Sequence, residues 1–153
     1  MDSVLLQHLR ARDAAIRERW EALLRIERVN SPLANPDILV HLIPDSLERI
    51  LNAVEKGSRK TPLTLLAVNA ERLPPCDCGC NPYLAYFVAG EQAILETVVL
   101  LQSELPPSGT QETDIAEIVR AIRRLTRSEV DAFCAICTVR GTAAKCRHAA
   151  GAR

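Results

Sequence analysis

Apolar residues recur along this chain at spacings of three, four and seven, the period of one face of an α-helix. Leu5, Leu9, Ile16, Trp20 and Leu23 form the first such stripe, which predicts a helix from about Ser3 to Val29. Arg10, Arg12, Arg17, Glu18, Arg19 and Glu21 fill its other faces. Ser31 stands before Pro32 and is driven out of the helical region, which ends the run. Asn35-Pro36-Asp37 opens a second helix to about Glu55, with Leu39, Ile43, Leu47, Ile50 and Val54 as its stripe. Pro44 falls inside that run, which predicts a kink or short break there. Gly57-Ser58 closes it.

Thr61-Pro62 starts a shorter third helix through about Arg72, stopped by Pro74-Pro75. Asn81 and Pro82 then read as the cap and first residue of a fourth helix, running to about Leu105. Leu84, Phe87, Val88, Leu95, Val98 and Leu101 mark its expected buried side. Ser108 with Gln111 three residues on has the form of a capping box. It introduces a fifth helix from about Gln111 to Val139, with Ile115, Ile118, Ile122, Leu125, Ala132 and Ile136 in register. Gly141 is its natural stop.

β-alternation of useful length, internal repeats and low-complexity blocks are absent from the sequence. The pattern therefore predicts an all-α fold, a five-helix bundle over residues 1–140 with mostly antiparallel neighbours and a Cys-rich loop before the fourth helix. Residues 141–153 form a basic tail that carries Cys146 and His148.

Composition narrows this reading. A chain of 153 residues with 48% hydrophobic and 25% charged residues suits one globular domain. Aromatics make up only 3%, so the core must be built of Leu, Ile, Val and Ala. The net charge is zero, so no global field draws the protein to nucleic acid or to an anionic membrane. That balance hides an asymmetry: from Ile115 onward there are eight Lys/Arg against three Asp/Glu. No stretch approaches the roughly 18 unbroken apolar residues of a membrane span. The N-terminus, MDSVLLQHLRARD, lacks the basic start and apolar core of a signal peptide. The expectation is a cytoplasmic protein whose thiols are reduced or metal-bound.

The candidate chemistry lies in six cysteines. Cys76, Cys78 and Cys80 alternate in the loop just before the fourth helix, where the positive end of the helix dipole favours thiolate. The short connection after Leu105 makes the fourth and fifth helices an antiparallel hairpin, its turn centred near residues 107–108. At about 1.5 Å rise per residue, position 134 then falls level with about 81 and position 137 with about 78. Cys134 and Cys137 are three apart, hence on one helix face. The expected metal ligands are four of Cys76, Cys78, Cys80, Cys134 and Cys137, with Cys146 and His148 completing the shell or holding a second ion. Thiolate-rich sets select zinc, Cu(I) or iron–sulfur clusters. Zinc is the first choice and an iron–sulfur cluster the alternative, although no ferredoxin-type spacing is present. A reversible disulfide switch and reduced structural thiols stay open.

Other chemistry is thinner. His8 and His41 are isolated on helices, and Glu91 reads as a solvated carboxylate beside an apolar stripe. Arg120, Arg123, Arg124 and Arg127 recur at helical spacing without interleaved aromatics, which suits a solvated face better than nucleic-acid binding. The sequence has no GxSxG, no HExxH and no phosphate-cradling glycine loop.

RERWEALLRI on the first helix and NPYLAYFVAGEQAILETVVLLQ on the fourth are similar to the helical, globin-like N-terminal sensory domains of bacterial stressosome and histidine-kinase regulators, of RsbRD type. The resemblance implies a non-catalytic signal sensor acting on a protein partner. It supplies no ligand set for these cysteines. The expectation is thus a metal-binding helical regulatory domain, with a homodimer left open. The alternatives are a thiol oxidoreductase or zinc hydrolase using the same centre, and a structural zinc staple in a protein-interaction bundle.

Overall fold

The computed structural model describes residues 3–27, 32–57, 81–104 and 112–139. Helix α1 spans Ser3–Ala11 and α2 spans Asp13–Ile26. The sequence predicts one helix here, and the structure divides it at Arg12, whose φ of −99° and ψ of 14° lie in the bridge region. The Arg12 N–H is shared between the carbonyls of His8 and Leu9, both at 3.1 Å. No proline or glycine marks this break. Helix α2 also ends early, because Glu27 is already extended at ψ 149°.

Asn35 caps α3 (Pro36–Leu39) by accepting the Asp37 N–H at 3.0 Å, and Pro36 sits in the first turn. A 3-10 turn over Val40–Leu42 separates α3 from α4 (Ile43–Gly57). This is the interruption that Pro44 predicts. It falls just ahead of the proline, which then occupies the first turn of α4, where a missing N–H costs nothing. Helix α5 spans Pro82–Glu104 and α6 spans Glu112–Val139. Among the described residues there is no strand, and the fold is an all-α bundle. The predicted third helix, the Ser108/Gln111 capping box and the basic tail lie outside the described residues.

Pairs of contacting side chains fix the directions. Arg12 meets Glu104, Arg19 meets Glu96 and Trp20 meets Tyr86, so α2 runs antiparallel to α5. Arg123 meets Glu91 while Asn81 reaches Val130 and Cys134, so α6 also runs antiparallel to α5. Arg10 meets Asn52 and Glu55, and Arg25 meets Asp37, so the first two helices run against the α3–α4 segment. Helices α4 and α5 both pack on α1, α2 and α6. They are therefore parallel to each other, and the helices that pack on both of them run antiparallel to them.

The first two predicted stripes lie in the core: Leu5, Leu9, Ile16, Trp20, Leu47 and Ile50 are each 0% exposed, and α5 and α6 complete it with Ile94, Val98, Ile118 and Ile122. Tyr86 links α5 to α2 and α4. Its ring centroid is 4.9 Å from that of Trp20, and its hydroxyl donates to Ser46 Oγ at 3.0 Å. Trp20 Nε1 donates to the Tyr86 carbonyl at 2.9 Å. The low aromatic content is thus concentrated at one point, where α2, α4 and α5 meet.

Burial raises the Tyr86 phenol well above its ordinary value of 10.0, and the nearby Asp45 charge adds to this against the opposing effect of the Ser46 hydrogen bond. The unfolded chain ionises near pH 10 while the folded one holds the proton. This contribution to stability is complete below pH 10 and is lost as pH rises toward the folded value. Tyr86→Phe should cost about 1–2 kcal/mol near neutrality by orphaning the buried Ser46 hydroxyl. It should also flatten the alkaline decline. Urea titrations between pH 8 and pH 11 on both proteins check this, and parallel declines would refute it.

The surface carries ion pairs between helices, including Arg19–Glu96 and Arg49–Glu129. The Arg19 and Gln92 hydrogen bonds hold the Glu96 carboxyl down at about 2. Exposed pairs of this kind contribute little individually. Their stronger role is to fix register, Arg19–Glu96 that of α2 on α5 and Arg49–Glu129 that of α4 on α6.

By length and composition α5 is long and apolar enough to cross a membrane, although its apolar residues do not form an unbroken run. Half of its most apolar window is buried inside the bundle. Glu91 and Glu96 interrupt that window, and each pairs with an arginine of a neighbouring helix.

Candidate thiolate site

The site begins at Asn81, the residue joining the cysteine loop to α5. Its Oδ1 accepts the Tyr83 N–H at 2.9 Å, which satisfies one of the orphan donors of the helix start. Its Nδ2 lies 3.5 Å from the Val130 carbonyl oxygen and 3.8 Å from Cys134 Sγ. One carboxamide thus caps α5 and reaches a thiol on α6. Tyr83 and Phe133, each a near neighbour of these two residues, meet edge to face at 6.1 Å. The start of α5 and the end of α6 are held together by this contact.

The expected register is met here: residue 134 stands level with residue 81. Cys134 is half-buried and outside any disulfide, and Cys137 follows three residues later on α6. Cys76, Cys78, Cys80, Cys146 and His148 lie outside the described residues. Among the described residues no group of three or more His, Cys, Asp and Glu is gathered in a way that holds a metal. A cysteine sulfur and a carboxamide offer a soft donor atom and a hydrogen bond to sulfur. They offer no nucleophile–base pair.

His8 and His41 are exposed. Glu91 departs from the expectation of a solvated carboxylate: it is half-buried and takes a 3.2 Å hydrogen bond from Arg123. Of the arginine row, Arg124 and Arg127 are exposed, and Arg120 and Arg123 are half-buried. The sequence reads Asn81 only as a cap. Its second role, toward Cys134, follows once the hairpin register is combined with the cap position. No family model, curated protein or solved structure matches this chain.

Proposed function

We propose that this chain is a cytoplasmic, metal-binding helical regulatory domain that senses metal or redox state through clustered cysteines. The observation that carries the reading is the 3.8 Å approach of Asn81 to Cys134, which brings the neighbour of Cys80 against the α6 thiol. Zinc held by four of Cys76, Cys78, Cys80, Cys134 and Cys137 is the preferred occupant, with Cys146 and His148 as further donors. An iron–sulfur cluster is the alternative occupant. The resemblance of the first and fourth predicted helices to RsbRD-type sensory domains points toward a protein partner and away from catalysis. Loss of the metal would release thiolates at one end of the bundle and loosen the start of α5, a change that a partner can read.

Elemental analysis and a visible spectrum on the full chain, purified without oxygen, test the proposal. The expected result is about one zinc per chain and no visible band. Cys78→Ser together with Cys134→Ser should abolish stoichiometric zinc. Those substitutions or a chelator should also lower Tm by roughly 10 °C, since a ligand at a thousandfold excess over Kd stabilises by about 4 kcal/mol. Iron with broad brown absorption would replace zinc by a cluster. Six free thiols and no metal would overturn the proposal.

A further inference from the structure

Helix α6 outruns the core. Among the described residues its last buried side chain is Val130, 1% exposed, yet the helix continues to Val139. Past Val130, Asp131, Ala132, Ala135 and Ile136 are exposed, and Phe133 and Cys134 are half-buried. So short a helical segment does not hold itself in water, since helices under roughly 12 residues are marginal without packing. Two contacts tie it back, and both come from the start of α5. The Phe133 ring meets Tyr83 edge on at 6.1 Å. Asn81 Nδ2 approaches the Val130 carbonyl oxygen at 3.5 Å and Cys134 Sγ at 3.8 Å. Tyr83 is itself anchored in the bundle, its ring centroid 6.4 Å from that of Tyr86 and 6.3 Å from that of Phe87.

From this packing we infer that residues 131–139 form an arm that opens and closes on the start of α5 while the core stays folded, with the Phe133–Tyr83 contact as its latch. A segment that buries little apolar surface opens at a lower free energy than the whole domain unfolds. None of the side chains described from Asp131 to Ile136 is fully buried. Cys134 and Cys137 both ride on the arm, and Cys76, Cys78 and Cys80 precede its seat on α5 in the chain. The position of the arm therefore decides whether the α6 thiols are offered at that end of the bundle. Its effect on a metal rests on the thiolate reading proposed above: a metal that binds both groups of cysteines selects the closed arm. It shifts the arm closed by the ratio of its affinities for the two positions. The opening itself stands on the packing alone.

Amide hydrogen exchange read by mass spectrometry, on the full chain reduced and stripped of metal, tests the arm. Relative to intrinsic rates, residues 134–139 should exchange at least about tenfold faster than residues 116–126. Phe133→Ala is the more selective reading, because alanine is the better helix former. A helix that held itself would therefore be as protected in the variant, or more so. A latched arm should exchange about threefold to tenfold faster, the worth of one aromatic pair, with residues 116–126 unchanged. Protection over 134–139 equal to that over 116–126 would overturn the inference. So would a Phe133→Ala variant whose arm is as protected as before, or whose core exchanges faster as well. Added zinc, with its binding read separately by native mass spectrometry, should slow exchange over 134–139 at least about tenfold. Zinc that binds without slowing it overturns the link between metal and arm. Zinc that does not bind sinks the thiolate reading, and the arm is then decided by the metal-free exchange and by Phe133→Ala.

Discussion

Trp20→Ala should destabilise the bundle by about 3–5 kcal/mol, the range for removing a large buried aromatic side chain. Trp20 is 0% exposed and packs against Tyr86 and Phe87, with tilted rings whose centroids lie 4.9 Å and 6.4 Å away. Its Nε1 donates to the Tyr86 carbonyl, so truncation removes a buried hydrogen bond together with the ring. The neighbours that would have to collapse into the space are helices pinned by Arg19–Glu96 and by the Tyr86–Ser46 contact. Little relaxation is therefore available, and the cost should fall toward the upper part of the range. Equilibrium urea unfolding measures it. A loss under about 1.5 kcal/mol would show that Trp20 is replaceable packing, not the centre of the core.

Gly90→Ala should also destabilise, although alanine is the better helix former by about 1 kcal/mol. A Cβ at position 90 would lie closer than 3.0 Å to Cζ2, Cε2 and Cη2 of the Trp20 indole. The glycine is there because the ring rests on the α5 backbone. Overpacking against a buried ring costs about 1–3 kcal/mol, enough to reverse the propensity gain. The sharper test is the pair. In a Trp20→Ala background the clash is gone, and Gly90→Ala should become stabilising by about 0.5–1 kcal/mol. If the sign stays the same in both backgrounds, the close approach of Trp20 to Gly90 is not what excludes a side chain at 90.

How far the sequence could be read depended on how amphipathic each segment is. In the α3–α4 segment the apolar positions alternate cleanly with charge, and all five predicted stripe residues are buried: Leu39, Ile43, Leu47, Ile50 and Val54. Helix α5 is apolar on most of its circumference, so spacing alone does not fix which side faces in. Val88 is therefore exposed where burial was expected, while Tyr86, Ala93 and Ile94, absent from the predicted stripe, are 0% exposed. Late in α6 the buried line passes through Thr126 and Val130, leaving Ala132 and Ile136 outside. The bundle has no partner helix for that last turn among the described residues, so the periodic signal there has nothing to register against. The break at Arg12 was invisible because no helix-breaking residue marks it. The cap at Asn81 and the level of Cys134 were legible, because a cap is a local chemical signal and the hairpin register is arithmetic.

The parallel placement of α4 and α5 has a kinetic consequence. A simple up-and-down bundle closes its core largely through hairpins between neighbours in sequence. Here the joining contacts are remote: Trp20 to Tyr86 spans 66 residues, Arg49 to Glu129 spans 80, and Arg12 to Glu104 spans 92. Loops of that size must close before the aromatic centre is assembled, and folding rates fall as the sequence separation of contacts grows. The α5–α6 hairpin, whose contacts are more local, is free to form first.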